Sequence, residues 1–283
     1  MIKRIFLTAG GLVLLFSLLI FGKIETKKVD SAQPVATTPT LNIQDIIAKE
    51  KQKLPPSKVI SVSKLENNIT RGDLKKQEVN QYTALADFWK DSAGIFLPYA
   101  YYLSEAAKLD NSEKNLTFAA RLILENMRRE DNAEIKSWEA ETAASLFQKA
   151  LQLDPGNDDL KVGLGSCYVY GQGMAGDPQQ TMKGIQQLLE VIRKDSNNMQ
   201  AQMVLGIGAV ISGQNEKAVE RLNKVVSFDP HNLEAVSWLA DAYAATGDKA
   251  NATKWYEQSK HLVNNPEFSK EVDERIKALN SAR

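Results

Sequence analysis

The sequence predicts an all-α protein: an α-solenoid of antiparallel helix pairs preceded by one N-terminal transmembrane helix. Three observations predict it. A turn recurs along the chain: Asp154-Pro155-Gly156-Asn157 returns as Asp229-Pro230-His231-Asn232, with the related Asp195-Ser196-Asn197-Asn198 between them. Between those turns the apolar residues keep helical spacing, and small residues recur at matching places. Near the start, the run from Ile5 to Phe21 contains no charge.

As a helix, that run spans roughly 26 Å, close to the thickness of a bilayer's hydrocarbon core. Lys3 and Arg4 precede it. Signal peptidase requires small residues three and one positions before its cut. A cut after Gly22 places Ile20 at the first of these, and no Ala-x-Ala follows. A retained anchor is therefore favoured over a cleaved signal peptide. Lys23, Lys27 and Lys28 flank the far side, so the positive-inside rule does not decide orientation. A short head before a long body reads as a signal anchor in the inner (cytoplasmic) membrane, with the body in the periplasm or exterior.

Residues 1–30 form the anchor and its flanks, and 31–40 a disordered tether rich in small residues and proline. Residues 41–79 read as a short helical linker region. There Asn42 to Leu54 places Ile43, Ile46, Ile47 and Leu54 on one side of a helix, and Pro55 and Pro56 end it. Ser57 to Thr70 fits a helical stripe or a short strand.

The solenoid occupies 80–283, with clear units at 158–198, 199–232 and 233–266 and a polar capping helix at 267–280. Met199 to Asn232 is 34 residues. Gly206 and Ala218 in that unit, and Ala240 and Ala252 in the next, are small because the two helices of a pair approach closely there. Gly213 and Gly247 suit the left-handed position that stops a helix. Asn215 and Asp248 can cap the helices that follow, and Asn232 the next unit. Two irregular pairs come earlier. Gln81 to Ser92 pairs with Leu97 to Leu109. A helix from near Leu116 pairs with one carrying Ala143, Phe147 and Ala150, across an inserted stretch around Glu130 to Lys136.

This pattern resembles the tetratricopeptide repeat (TPR) family, most strongly over Asp158 to Pro266. The resemblance implies that the first helices line a concave face that holds extended peptides or helices. By repeat position the protein-binding candidates are Tyr170, Gln200, Met203, Ile207, Val210, Glu234, Ser237 and Asp241. Met203, Ile207 and Val210 equally suit a core. Chaperone-binding relatives grip a C-terminal carboxylate with Lys, Asn and Arg at fixed positions. The equivalents here, Asp159, Val162, Gly163, Ser166, Gln200, Met203, Ile207 and Asp241, include no cation. The resemblance therefore implies an apolar or basic ligand, with Glu234 and Asp241 at its charged end.

Gly171-Gln172-Gly173-Met174-Ala175-Gly176 matches GxGxxG, but it follows a helix with no strands around it, so no dinucleotide site is expected. Leu164-Gly165, Tyr168, Gly171, Gly173 and Asp177 instead resemble the spacing of Sel1-like repeats, with a long inner turn in which glycine supplies positive φ. Lys183-Gly184 departs from that pattern.

Composition excludes several functions. Of 283 residues, 43% are hydrophobic and 25% charged, and the formal net charge is zero, which argues against nucleic acid as a partner. Cys167 alone makes neither a disulfide nor a zinc site, and His231 and His261 read as surface residues. HExxH, GxSxG and P-loop motifs are absent from the sequence, and no cofactor, metal or small-molecule substrate is expected. The expected function is non-enzymatic. It is a membrane-anchored scaffold or adaptor binding another protein, in the periplasm, for assembly, secretion or maturation of envelope proteins. Two alternatives stand beside it. One is an enzyme carried in residues 41–130. The other is a self-assembling structural element, which the charged final helix opposes.

Overall fold

Asparagine side chains begin the helices of this chain in a repeating way. Asn157 Oδ1 accepts from the Leu160 amide, Asn198 Oδ1 from Ala201 and Asn232 Oδ1 from Ala235. Each occupies one of the first amide donors that a helix leaves unpaired. The preceding aspartate closes the turn in the same way each time. The amides of Asn157, Asn198 and Asn232 donate to the carbonyls of Asp154, Asp195 and Asp229. The recurrent turn is thus a helix-start device, repeated before the helices that begin at Asp158, Met199 and Leu233, the first helices of the last three pairs.

The computed structural model describes residues 41–69, 75–173 and 178–281. The segments read as anchor and tether, Ile5 to Phe21 and Ser31 to Thr40, lie outside the described residues. Thr40–Arg283 forms one compact unit. Its helices are α1 (Ile43–Gln52), α2 (Pro56–Ile69), α3 (Lys75–Asp87), α4 (Phe96–Asp110), α5 (Glu113–Met127), α6 (Ala133–Leu153) and α7 (Asp158–Ser166). They continue with α8 (Pro178–Lys194), α9 (Met199–Ile211), α10 (Asn215–Phe228), α11 (Leu233–Thr246), α12 (Lys249–Val263) and α13 (Pro266–Ser281). Two of them run on as π-helical turns, α3 into Phe88–Ala93 and α7 into Cys167–Gly173. Successive helices pack as pairs: α3 with α4, α5 with α6, α7 with α8, α9 with α10, α11 with α12. Among the described residues no helix is long and apolar enough to cross a membrane.

Close approach holds the pairs together. A Cβ on Gly206 would stand 2.7 Å from Leu222 Cγ, and Leu222 is fully buried on α10. A Cβ on Gly184 would stand 2.9 Å from the Gly165 carbonyl oxygen, so α7 and α8 meet backbone to backbone. Ala240 and Ala252 take the corresponding places in α11 and α12, both fully buried. Gly213 and Gly247 have φ of +72° and +81°, the left-handed geometry expected of helix stops. Asp248 caps α12 as expected. Asn215 does not cap α10: it is already the first helical residue, and Gln214 stands at the cap position without a side-chain bond to the helix amides.

Three expectations are refined. Residues 41–79 do not form a linker. Ile47 of α1 and Val62 of α2 are buried with Leu85 and Trp89, so α1 and α2 cover the apolar side of the first pair. Ser57 to Thr70 is helical rather than a strand through Ile69. The inserted stretch around Glu130 to Lys136 is largely helical. α6 begins at Ala133 and absorbs most of it by running 21 residues.

The glycine run also differs from expectation. Gly171 lies inside the π-helical turn, and the described residues with positive φ do not include it. It is small because a Cβ there would collide with Ala140 of α6. Gly171→Ala should therefore destabilise the fold by about 1–3 kcal/mol through overpacking. Urea unfolding of residues 41–283 should show a lower midpoint at unchanged slope, and an unchanged midpoint would mean the contact with Ala140 yields freely.

Candidate protein-binding site

The first helices of consecutive pairs touch one another: α5 with α7, α7 with α9, and α9 with α11. Neighbouring packed helices lie about 8–10 Å apart, so a flat stack would separate α5 from α11 by roughly 25–30 Å. Yet Arg128, just past α5, forms an ion pair with Glu234 in the first turn of α11. The first-helix face therefore curves inward, and it is the concave one.

Tyr170 sits within this bridge. Its ring lies under the Arg128 guanidinium, 5.1 Å from centroid to Cζ, and its hydroxyl donates to Glu234 Oε1 at 2.9 Å. Burial pushes the phenol up to about 12, against the smaller opposing pull of Arg128, so the hydroxyl keeps its proton and its donor role.

The structure separates the sequence-predicted residues into four groups. Tyr170 and Glu234 meet in the bridge. Ile207 is fully buried and Met203 is 8% exposed, both within the central core, while Val210 packs at its margin. Gln200 is exposed and Ser237 half-buried. Asp241 accepts from the Tyr256 hydroxyl at 2.6 Å and lies 3.5 Å from Arg275 Nη1 of the final helix. The two carboxylates expected to meet a basic ligand are thus both engaged within the chain. Among the clamp-equivalent positions, Val162 is buried and Asp159 is held by Arg121 at 3.3 Å.

The open part of the face lies elsewhere. A groove of about 760 Å³ runs along the exposed side of α5, lined by Phe96, Lys114, Phe118, Arg121, Leu122 and Arg129 among others. Phe118 is 55% exposed and also borders a second cavity, of about 300 Å³, against α3 and α4. None of these residues was among the expected ones, because α5 belongs to an irregular pair whose repeat positions could not be assigned by spacing. A signal existed. Leu116, Ala119, Ala120, Ile123 and Met127 fill the buried stripe of α5, which leaves Phe118 as a large apolar residue on the opposite side.

Residues 209–269 match the tetratricopeptide repeat family. The match runs from the end of α9 into α13 and takes in α10, α11 and α12. No curated protein sequence matches the chain. Among solved structures, the crystal structure of MamA protein is 19% identical, covering 65% of this chain and 91% of its own, with a TM-score of 0.45. That of YrrB, titled a TPR protein with an unusual peptide-binding site, is 16% identical over 74% of this chain and 97% of its own, also at 0.45. The TPR2AB-domain:pHSP90 complex of yeast Sti1 is 16% identical over 80% of this chain and 100% of its own, at 0.34.

Among the described residues no group of three or more His, Cys, Asp or Glu side chains is placed to hold a metal. One acid is unusual. Glu139 of α6 is fully buried; its Oε1 accepts from Asn126 Nδ2 at 2.7 Å, and its Oε2 has no partner among the described residues. Burial raises its carboxyl from 4.5 to about 7, with Glu130 adding to the rise and the Asn126 bond and Lys136 opposing it. In the unfolded chain the group ionises near its ordinary value, so between about 4.5 and about 7 the native state holds a proton that the unfolded state lacks. Stability should fall as pH rises through that window, by on the order of 1–3 kcal/mol, and level off above it. Glu139→Gln should flatten this slope in unfolding curves measured from pH 4.5 to 8, and an undiminished slope would assign it to other groups.

Proposed function

We propose that this protein is a membrane-anchored scaffold whose TPR-type helical pairs hold a segment of another protein along the concave face, outside the cytoplasm. The open groove on α5 carries this reading. The apolar candidates of the first-helix face are packed in or against the core and its acids are engaged within the chain, while α5 leaves an exposed aromatic ring in a lined recess. The tetratricopeptide match supports a protein partner, since these repeats serve as interaction scaffolds. The uncharged run Ile5 to Phe21 supports the anchor, and the long body that follows it supports an extracytoplasmic placement. A role in assembly, secretion or maturation of envelope proteins follows from that placement. The Sel1-like character of the α7–α8 unit belongs to the same proposal and rests on the spacing from Leu164 to Asp177.

Crosslinking in intact membranes, followed by recovery of the tagged protein, tests the scaffold reading. Both the full chain and residues 41–283 should recover the same discrete envelope protein, and a Phe118→Ser variant should recover at least several-fold less. Equal recovery by that variant would remove the groove from the reading. A reporter fused after Arg283 should be active only outside the cytoplasm, and activity confined to the cytoplasm would overturn the orientation.

A further inference from the structure

The charge around the groove indicates what kind of segment it takes. Along α5, Lys114, Phe118, Arg121 and Leu122 follow one another at helical spacing on the exposed side, and Arg129 stands in the turn just past its end. Their charged ends are lightly committed. Lys114 has no partner among the described residues. Arg121 touches Asp159 at 3.3 Å, with the two side chains 57% and 70% exposed. Arg129 is 80% exposed and pairs with Glu125 one turn away. Exposed pairs of this kind contribute little and exchange readily.

The two lining carboxylates are differently placed. Glu113 accepts from the Thr117 hydroxyl at 2.9 Å, and Glu125 already serves both Arg128 and Arg129. A basic segment would face three lining cations, Lys114, Arg121 and Arg129, against two carboxylates, Glu113 and Glu125, so the lining as a whole favours an acid over a base. A wholly apolar segment would cover those cations without pairing them, which is costly. The ring of Phe118, with Phe96 and Leu122 beside it, demands an apolar group in return.

We infer that the α5 groove takes an acidic segment bearing one apolar anchor residue: the anchor seats on Phe118, and its flanking carboxylates pair with Lys114 and Arg121. The inference rests on reading the concave face as a binding face. It reverses the sign of ligand expected from Glu234 and Asp241, because both of those carboxylates are occupied inside the fold.

The test is selection of a random peptide library, displayed on phage, against the full-length chain in detergent micelles. Enriched peptides are then measured by fluorescence anisotropy against the unaltered chain, a Lys114→Glu/Arg121→Glu double variant and Phe118→Ser. Thermal melts verify that these exposed substitutions leave the fold intact. Enriched peptides should carry net negative charge beside an aliphatic or aromatic residue. Their affinity should fall at least about tenfold on charge reversal, and should weaken as salt rises. Enrichment of basic peptides, or binding indifferent to all three substitutions, would overturn the acidic-segment inference while leaving the solenoid a binder of segments. Absence of any enrichment would overturn both.

Discussion

Contact between paired helices at positions with almost no side chain is the constraint on which the rest of this structure depends. Where α7 meets α8, Gly184 lies against the carbonyl of Gly165, and where α9 meets α10, Gly206 lies under Leu222. At that separation the larger residues on either side interdigitate. Phe147 of α6 reaches over Gly163 of α7 and fastens one pair to the next. A methyl group at any of these sites would push a pair apart, and the displacement would be passed to every later pair, because each contacts chiefly its neighbours.

Curvature follows from how those pairs are stacked, and the bridge of Arg128, Tyr170 and Glu234 registers it. An exposed ion pair alone contributes little. Here the partners lie 106 residues apart in sequence (234 − 128) and share a nearly buried phenol, so the contact links two ends of an arc. It also divides the concave face. On the C-terminal side, apolar first-helix residues fill the core and the acids are satisfied internally. On the N-terminal side, α5 remains open. Glu139 lies beneath that open half, joined to it through Asn126, which lines the groove and donates to the buried carboxyl.

Both ends of the stack are covered by polar helices. α1 and α2 lay Ile47 and Val62 onto the core around Trp89, whose ring meets Phe88 edge-on at 5.6 Å. At the other end α13 buries Val272 against Ala240, Ala252 and Tyr256, and ties itself down through Lys260 to Asp273 and Arg275 to Asp241. Covering an apolar face while presenting charge outward is what ends a solenoid instead of extending it.

The local grammar was legible in the chain alone. Asn232 and Asp248 announced helix starts, Gly213 and Gly247 helix stops, and Gly206 a close approach, because each effect depends on a few consecutive residues and the intrinsic preferences of their backbones. What tertiary structure alone decided was which first-helix residues stay free. Ile207 and Gln200 both stand at expected binding positions on α9, yet one is fully buried and the other exposed. Glu234 and Asp241 read as free acids until the arc brought Arg128 and Tyr170 to one and Tyr256 and Arg275 to the other. These outcomes depend on superhelical curvature, which accumulates from small rotations between pairs and leaves no mark at any single position.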